Sequence, residues 1–227
     1  MLFVPHHILR LTSKMNSRTL IIGNKNYSSW SLRAWFFLRK NNIEFIEKQL
    51  WLDVPEFKSS ISQYGSGGKV PVLLDSGIEV WDSLAIIEYS IDRFGCESCW
   101  PMDAIWRAHA RSIVCEIHSS FLAIREECPM DIRGRHEKTL SEAAQADIQR
   151  ICEVWTQALE MSGKQGRWLY GDFSPADAMF APVVFRLSGY GVKVSPLIQA
   201  YIDFVLTDDV LSEWMSEAAR ESRYIDL

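Results

Sequence analysis

The sequence lacks the features that would direct it to a membrane or to nucleic acid. None of its apolar runs approaches the roughly 20 residues that a membrane-spanning helix needs. Basic residues are in deficit, with 24 Lys and Arg against 29 Asp and Glu, which leaves a net charge of −5. Binding to nucleic acid without sequence preference needs a basic face. We therefore expect a soluble, cytoplasmic protein that has neither a membrane nor a nucleic acid as a partner.

Cysteine is too scarce and too scattered for a disulfide framework, since there are five, an odd number. Cys96 and Cys99 form a Cys-x-x-Cys pair, but the pair follows a predicted helix. A redox pair normally lies between a strand and a helix, and a zinc site needs a second pair or nearby histidines. We interpret the two thiols as incidental and expect no metal site.

Material for a core is plentiful: 48% of the 227 residues are hydrophobic, and nine are tryptophan. This length suits one large domain or two modest ones. Residues 1–17 carry Arg10 and Lys14 and no acid, and their apolar residues are interrupted by Pro5. We interpret this segment as a disordered extension rather than a targeting peptide.

The first half of the chain alternates strand and helix signals. The predicted strands cover 19–22, 45–50, 72–74 and 79–81, and the predicted helices cover 32–39 and 83–93. This order, βαβ then ββα, is typical of a small mixed sheet covered by helices. We place this α/β domain at 18–94 and a linker, marked by Gly95 and Pro101, at 95–102.

The second half, 103–227, shows only helical periodicity, which is typical of an all-α bundle. Within it, Ser174 is a predicted N-cap, Pro175 takes the first helical position, and Asp177 completes a capping box. We interpret this box as structural, not catalytic.

A proline in an otherwise β-like run is the most informative local feature. Pro71, which follows Val70 directly, lacks a backbone N–H and cannot continue a paired strand. The pattern predicts a bend, with a cis Val70–Pro71 bond as one way to make it, so that the main chain of Val70 is free to pair with an extended peptide. Ser83 is a predicted N-cap, and the free N–H groups of its helix favour a carboxylate. Together these features indicate a site for a small peptide with a free carboxylate.

These features, in this order and at these separations, resemble the glutathione S-transferase family over nearly the whole chain from Thr19. Residues 83–89, Ser-Leu-Ala-Ile-Ile-Glu-Tyr, are similar to the zeta class, which includes maleylacetoacetate isomerases. Residues 27–33, Tyr-Ser-Ser-Trp-Ser-Leu-Arg, resemble the zeta-class motif Ser-Ser-Cys-x-Trp-Arg. They resemble more closely the corresponding segment of a set of bacterial members of the family, which also share a stretch like residues 128–133 of this chain. The resemblance implies a thioredoxin-like first domain, a helical second domain and a homodimer.

The resemblance also implies roles for particular residues toward glutathione as co-substrate. Ser28 would activate the thiol, with Ser29 as the rival one residue on, or both serines would only cap the first helix. Ser31 would be a first-turn or capping residue. The residues expected to hold the peptide are Lys69, Val70, Pro71, Asp82 and Ser83. Lys69 would meet the glycine carboxylate unless it is only a surface charge, and Asp82 would meet the γ-glutamyl ammonium.

We expect the second substrate, a hydrophobic or electrophilic small molecule, to lie between the domains. His118, Arg125 and Arg133 are the polar candidates there, although each would also be ordinary as a structural or surface residue. The leading hypothesis is a glutathione transferase of the kind that serves detoxification. Its alternatives are a glutathione-dependent cis–trans isomerase and a non-catalytic interaction module with the same fold.

Overall fold

The computed structural model describes residues 18–95, 99–163 and 166–226. The predicted extension 1–17 and Cys96 lie outside the described residues. The first half contains β1 (Thr19–Ile22), α1 (Ser29–Lys40), β2 (Ile46–Gln49), α2 (Glu56–Ile61), β3 (Val72–Asp75), β4 (Ile78–Trp81) and α3 (Ser83–Phe94). The second half contains α4 (Ala104–Ser119), α5 (Leu122–Glu127), α6 (Glu142–Met161), α7 (Pro175–Gly189), α8 (Pro196–Leu206) and α9 (Asp209–Arg220).

The four strands form one mixed sheet in the order β2-β1-β3-β4. β1 runs parallel to β2 and antiparallel to β3, and β3 pairs antiparallel with β4. Successive side chains of a strand point to opposite faces. Accordingly Leu20 and Ile22 join the main core, whereas Ile21 packs with Ile61 and Val72 on the other face. The predicted α/β half followed by an all-α half is confirmed.

Helix α1 lies at the centre of the molecule, where it packs against α3, α7 and α9. Its Trp35, Phe36 and Phe37 are fully buried. Phe36 makes an edge-on contact with Phe173, which precedes α7, at 5.0 Å between ring centres. Burial of large aromatic side chains is a major source of core stability. The two halves therefore share one core, and the start of α1 is fixed from both sides.

The capping box at the start of α7 is confirmed. The Asp177 carboxylate accepts from the N–H and the hydroxyl of Ser174, each at 2.9 Å. It also accepts from the N–H of Leu169 and the hydroxyl of Tyr201, each at 3.0 Å. Because it is fully buried, the pKa of Asp177 is raised to about 6.

The structure differs from the sequence-based expectations in two places near the site. Helix α1 begins at Ser29 rather than Leu32, and the short helix α2 was not predicted. Only Phe57 and Ile61 give α2 an apolar side, which is too little for a periodic signal. No helix in the described part of the chain is long and apolar enough to cross a membrane.

Candidate functional site

A cleft of about 760 Å³ opens where the loop after β1, the bend before β3, the start of α3 and helix α4 meet. Eight of the ten predicted site residues line it: Ser28, Ser29, Lys69, Val70, Pro71, Asp82, Ser83 and His118. Its remaining walls were not predicted from the sequence. They are Tyr27, Trp30, Leu52, Phe57, Ser66, Gly67, Gly68 and Trp81.

Ser28 occupies the N-cap position of α1, but its side chain makes no capping hydrogen bond. Its hydroxyl lies instead 2.7 Å from the hydroxyl of Ser31, and the residue is only 6% exposed. Its main chain is fixed, since its N–H donates to the carbonyl of Asn24 at 2.8 Å. Ser29 is the first residue of α1 and also lines the cleft. The Ser28 hydroxyl therefore lies at the amino end of a helix, where a negative charge is favoured, and its hydrogen-bond partner there is Ser31.

The predicted bend at Pro71 is confirmed, and the Val70–Pro71 peptide bond is cis. β3 begins only at Val72, which pairs with Ile21 of β1. Val70 thus stands outside the ladder, half-buried, with its main chain beside the cleft. An extended peptide in the cleft could form main-chain hydrogen bonds with Val70, as a peptide does when it adds to the edge of a sheet.

Asp82, not Ser83, is the N-cap of α3, so this part of the prediction was wrong. The Oδ1 atom of Asp82 accepts from the N–H groups of Leu84 at 2.9 Å and Ala85 at 3.3 Å. Asp82 has a φ of +74°, which is uncommon for a residue other than glycine. Ser83 is fully buried one residue further on, and its hydroxyl lies 4.0 Å from the sulfur of Met179.

His118 reaches the cleft from α4 and faces the second oxygen of Asp82. Its Nε2 atom lies 3.3 Å from Asp82 Oδ2, and its ring meets Trp30 edge-on at 5.3 Å. Its Nδ1 atom is buried and has no hydrogen-bond partner among the described residues. Trp30 also stacks against the guanidinium groups of Arg33 at 4.3 Å and Arg125 at 5.0 Å. The far wall of the cleft is therefore aromatic and backed by positive charge.

Arg125 does not line the cleft, contrary to the prediction. It lies behind Trp30, where its Nε donates to the carbonyl of Ser120 at 3.0 Å and its NH2 group donates to that of Ile117. Burial lowers its pKa. Its hydrogen-bonding capacity is directed at the end of α4, so it supports the wall rather than meeting a ligand.

Arg133 does not line the cleft either, because its guanidinium binds the C-terminal segment. It donates to the carbonyls of Glu221 at 2.6 Å and Arg223 at 2.8 Å, and to the hydroxyl of Tyr27 at 3.2 Å. The side chain of Glu221 in turn accepts from the N–H groups of Lys25 at 2.5 Å and Asn26 at 3.1 Å. These contacts hold the loop that leads to the cleft residues 27–30.

The stretch 128–133, noted in the sequence without a role, docks on the same loop. Asp131 accepts from the side-chain N–H of Asn26 at 2.7 Å, and the N–H of Arg133 donates to the side-chain Oδ1 of Asn26 at 2.9 Å. The stretch therefore fixes the backbone that precedes Ser28. The contact spans more than a hundred residues, which no local pattern reveals.

The sequence model of the glutathione S-transferase N-terminal domain matches residues 27–93, the part of the chain that carries most of this cleft. A solved glutathione transferase homolog from Burkholderia, with bound glutathione, superposes with a TM-score of 0.69. The match covers 90% of this chain and all of that one, at 21% identity. Residues 27–93 therefore match the N-terminal domain of the glutathione S-transferases, and the chain as a whole has the fold of that solved structure.

Two further proteins are similar to this chain over most of its length. A theta-class enzyme from Xanthomonas axonopodis pv. citri, solved with glutathione, has a TM-score of 0.62 at 17% identity, over 88% of this chain and 98% of that one. A probable maleylacetoacetate isomerase from Caenorhabditis elegans is 29% identical over 172 residues, 74% of this chain and 79% of its own length. At these identities the two solved structures establish the fold, and the choice of reaction rests on the site.

Proposed function

We propose that this protein is a glutathione transferase, which activates the thiol of glutathione for attack on an electrophilic small molecule. The observation that carries the proposal is the Ser28 hydroxyl, which lies in the cleft at the amino end of α1 and is not used in capping. The free main chain of Val70 stands in the same cleft and supplies the means to hold a peptide.

The proposed chemistry is the stabilisation of a thiolate. The thiol has a pKa of roughly 8.5, so only a few per cent is ionised at neutral pH. Lowering the pKa by about two units requires about 2.7 kcal/mol in favour of the thiolate. One charge-assisted hydrogen bond from Ser28, with the dipole of α1, is of that size. The thiolate then attacks the electrophile, and the leaving group departs with its electron pair.

The rest of the peptide would be held along the near wall of the cleft. We assign the cysteinyl main chain to Val70, behind Pro71, and the glycine carboxylate to Lys69. The γ-glutamyl carboxylate is assigned to Ser83, the first residue of α3. Asp82 caps the N–H groups of the next two residues, Leu84 and Ala85, so the N–H of Ser83 is the one that we assign to the carboxylate. Asp82 Oδ2, which faces His118, is assigned to the γ-glutamyl ammonium.

Retention on immobilised glutathione, followed by conjugation of a generic aryl halide, tests the function directly. We expect the purified protein to be retained, to be released by free glutathione, and to form the conjugate in proportion to enzyme concentration. Failure to bind glutathione would contradict the proposal and leave the non-catalytic module. Binding without conjugation, but with isomerisation of a cis-enedione substrate, would select the isomerase.

Replacing Asp82 by asparagine is expected to weaken glutathione binding about tenfold, because it removes one charge-assisted hydrogen bond to the ammonium. The amide oxygen of Asp82→Asn still accepts from the N–H groups that Asp82 caps. Calorimetric titration with glutathione and with an analogue that lacks the amino group measures the effect. The analogue should bind both proteins equally.

The matched control for this substitution is Asp103→Asn. Asp103 caps α4 with the same geometry, accepting from the N–H groups of Ile105 and Trp106, but it lies outside the cleft. It should leave both affinities unchanged. An equal loss of affinity for glutathione and for the analogue in Asp82→Asn would show that Asp82 acts only through the helix.

The isomerase is the second candidate because a relative that matches 79% of its own length is named a probable maleylacetoacetate isomerase. The same thiolate would add to the substrate, allow rotation about the former double bond, and leave again. Against it, Trp30 stands where the zeta motif has a cysteine. We rank the transferase first for that reason.

We also propose that the protein is cytoplasmic, acts in detoxification and works as a homodimer. The side chains of Met102 and Ile105, at the start of α4, are 78% and 71% exposed. Contact between copies of the chain at this place would bury both apolar side chains.

A further inference from the structure

We propose that Ser31 is a positioning residue, which turns the hydroxyl of Ser28 toward the thiol of bound glutathione. The inference rests on the proposed function and assigns a second hydroxyl to its mechanism. Ser31 does not line the cleft and would not touch the substrate. It acts through Ser28.

The geometry links three groups in a row behind the cleft. The N–H of Gly23, at the end of β1, donates to the Ser31 hydroxyl oxygen at 3.1 Å. The Ser31 and Ser28 hydroxyl oxygens lie 2.7 Å apart. Ser31 is fully buried and belongs to the first turn of α1, so the row is shielded from water and fixed at one end to the sheet. Ser29 has no such neighbour among the hydrogen bonds of the described residues.

Counting protons shows what this row can do. A hydroxyl has one proton to donate and two lone pairs that accept. Without glutathione, Ser28 donates to Ser31, so its proton points away from the cleft. A thiolate in the cleft is a stronger acceptor, and Ser28 then donates to it. Ser31 rotates its own proton onto the oxygen of Ser28, while it continues to accept from Gly23.

This reversal involves rotation of two O–H bonds and no bond breaking. Each hydroxyl oxygen keeps at least one hydrogen-bond partner in both arrangements, so neither oxygen is left unpaired. A hydroxyl that accepts a hydrogen bond is also a better donor, because the bonds in a chain polarise one another. Ser28 should therefore stabilise the thiolate more strongly with Ser31 behind it than it would alone.

Titration of the thiol in the binary complex tests the proposal. The thiolate absorbs in the ultraviolet, so its pKa is read from absorbance against pH for the wild type and for Ser31→Ala. We expect Ser31→Ala to raise the pKa of the bound thiol by about one unit, a tenfold change equivalent to about 1.4 kcal/mol. The dissociation constant of S-methylglutathione, which has no thiol to ionise, should stay within about twofold.

Ser90→Ala is the matched control. Ser90 is also fully buried in a helix, and its hydroxyl donates to the carbonyl of Ile86 at 2.7 Å. It should leave the thiol pKa unchanged. Should Ser31→Ala fail to fold because Gly23 loses its acceptor, Ser31→Cys keeps a small acceptor but is a poor donor, and it should shift the pKa in the same direction.

An unchanged thiol pKa in both folded Ser31 variants would overturn the inference. A loss of S-methylglutathione binding equal to the loss of glutathione binding would also overturn it, because Ser31 would then only maintain the fold. A wild type that binds no glutathione removes the proposed function and the inference with it. If the bound thiol has a lowered pKa in the wild type and the same pKa in the Ser31 variants, the inference about Ser31 is wrong and the proposed function stands.

Discussion

Ser28→Ala is expected to lower kcat/KM at neutral pH by more than tenfold, with little change in the fold. The substitution removes the hydroxyl donor and leaves α1 intact, because the Ser28 side chain makes no capping hydrogen bond. If the thiol pKa returns from about 6.5 to roughly 8.5, the thiolate fraction near pH 6.5 falls by more than tenfold. The pH profile of kcat/KM measures this as a shift of its rising limb to higher pH.

Ser29→Ala is the control for this substitution. Ser29 lines the same cleft one residue later and is similarly buried, at 8% exposed. We expect it to keep the wild-type pH profile. Full activity in Ser28→Ala together with a loss in Ser29→Ala would transfer the catalytic role by one residue, and it would also remove the role proposed for Ser31.

Asp177→Ala should destabilise the protein by about 3–5 kcal/mol, a large share of the free energy of unfolding of an ordinary domain. Four donors converge on this fully buried carboxylate, and alanine leaves those from Leu169, Ser174 and Tyr201 without an acceptor. Urea unfolding at pH 7 measures the change. Asp103→Ala, which removes an exposed helix cap, should cost only about 1 kcal/mol.

The same carboxylate gives the stability a defined pH dependence. Burial raises the pKa of Asp177 to about 6, above its unfolded value, so the folded protein binds the proton more tightly. This contribution to stability is complete below about pH 4 and is lost as pH rises through about 6. Relative to Asp177→Asn, which does not titrate, the wild type should lose about 2–3 kcal/mol between pH 4 and pH 7. A constant difference over that range would contradict the assignment.

Features with local signals were predicted from the sequence, and features made by distant contacts were not. The β1 strand, the hairpin and the box at Ser174 depend on residues next to one another, and the structure has all three. The α3 cap was misassigned because Ser83 and Asp82 are both good capping residues. The hydrogen bonds that Asp82 Oδ1 accepts from the N–H groups of Leu84 and Ala85 decide between them.

The arginines illustrate the same limit for the site. Arg125 and Arg133 were predicted near the cleft as polar residues beside the first long helix of the second domain. The direction of each guanidinium depends on carbonyl groups elsewhere, and for Arg133 the acceptor is 88 residues away along the chain. By contrast, the aromatic walls at Tyr27 and Trp30 stand inside the motif that carried the family resemblance. The motif therefore contains aromatic wall residues of the cleft as well as the two serines.

The anchoring of the loop before Ser28 has a consequence for how the protein matures during synthesis. Glu221, which binds the N–H groups of Lys25 and Asn26, lies 196 residues beyond Lys25. Trp214 of α9 donates to the Lys25 carbonyl at 2.9 Å. A nascent chain that has already exposed the whole serine motif therefore still lacks the groups that fix it. A chain that ends before Trp214 and Glu221 would therefore carry the serine motif without these anchors of the preceding loop.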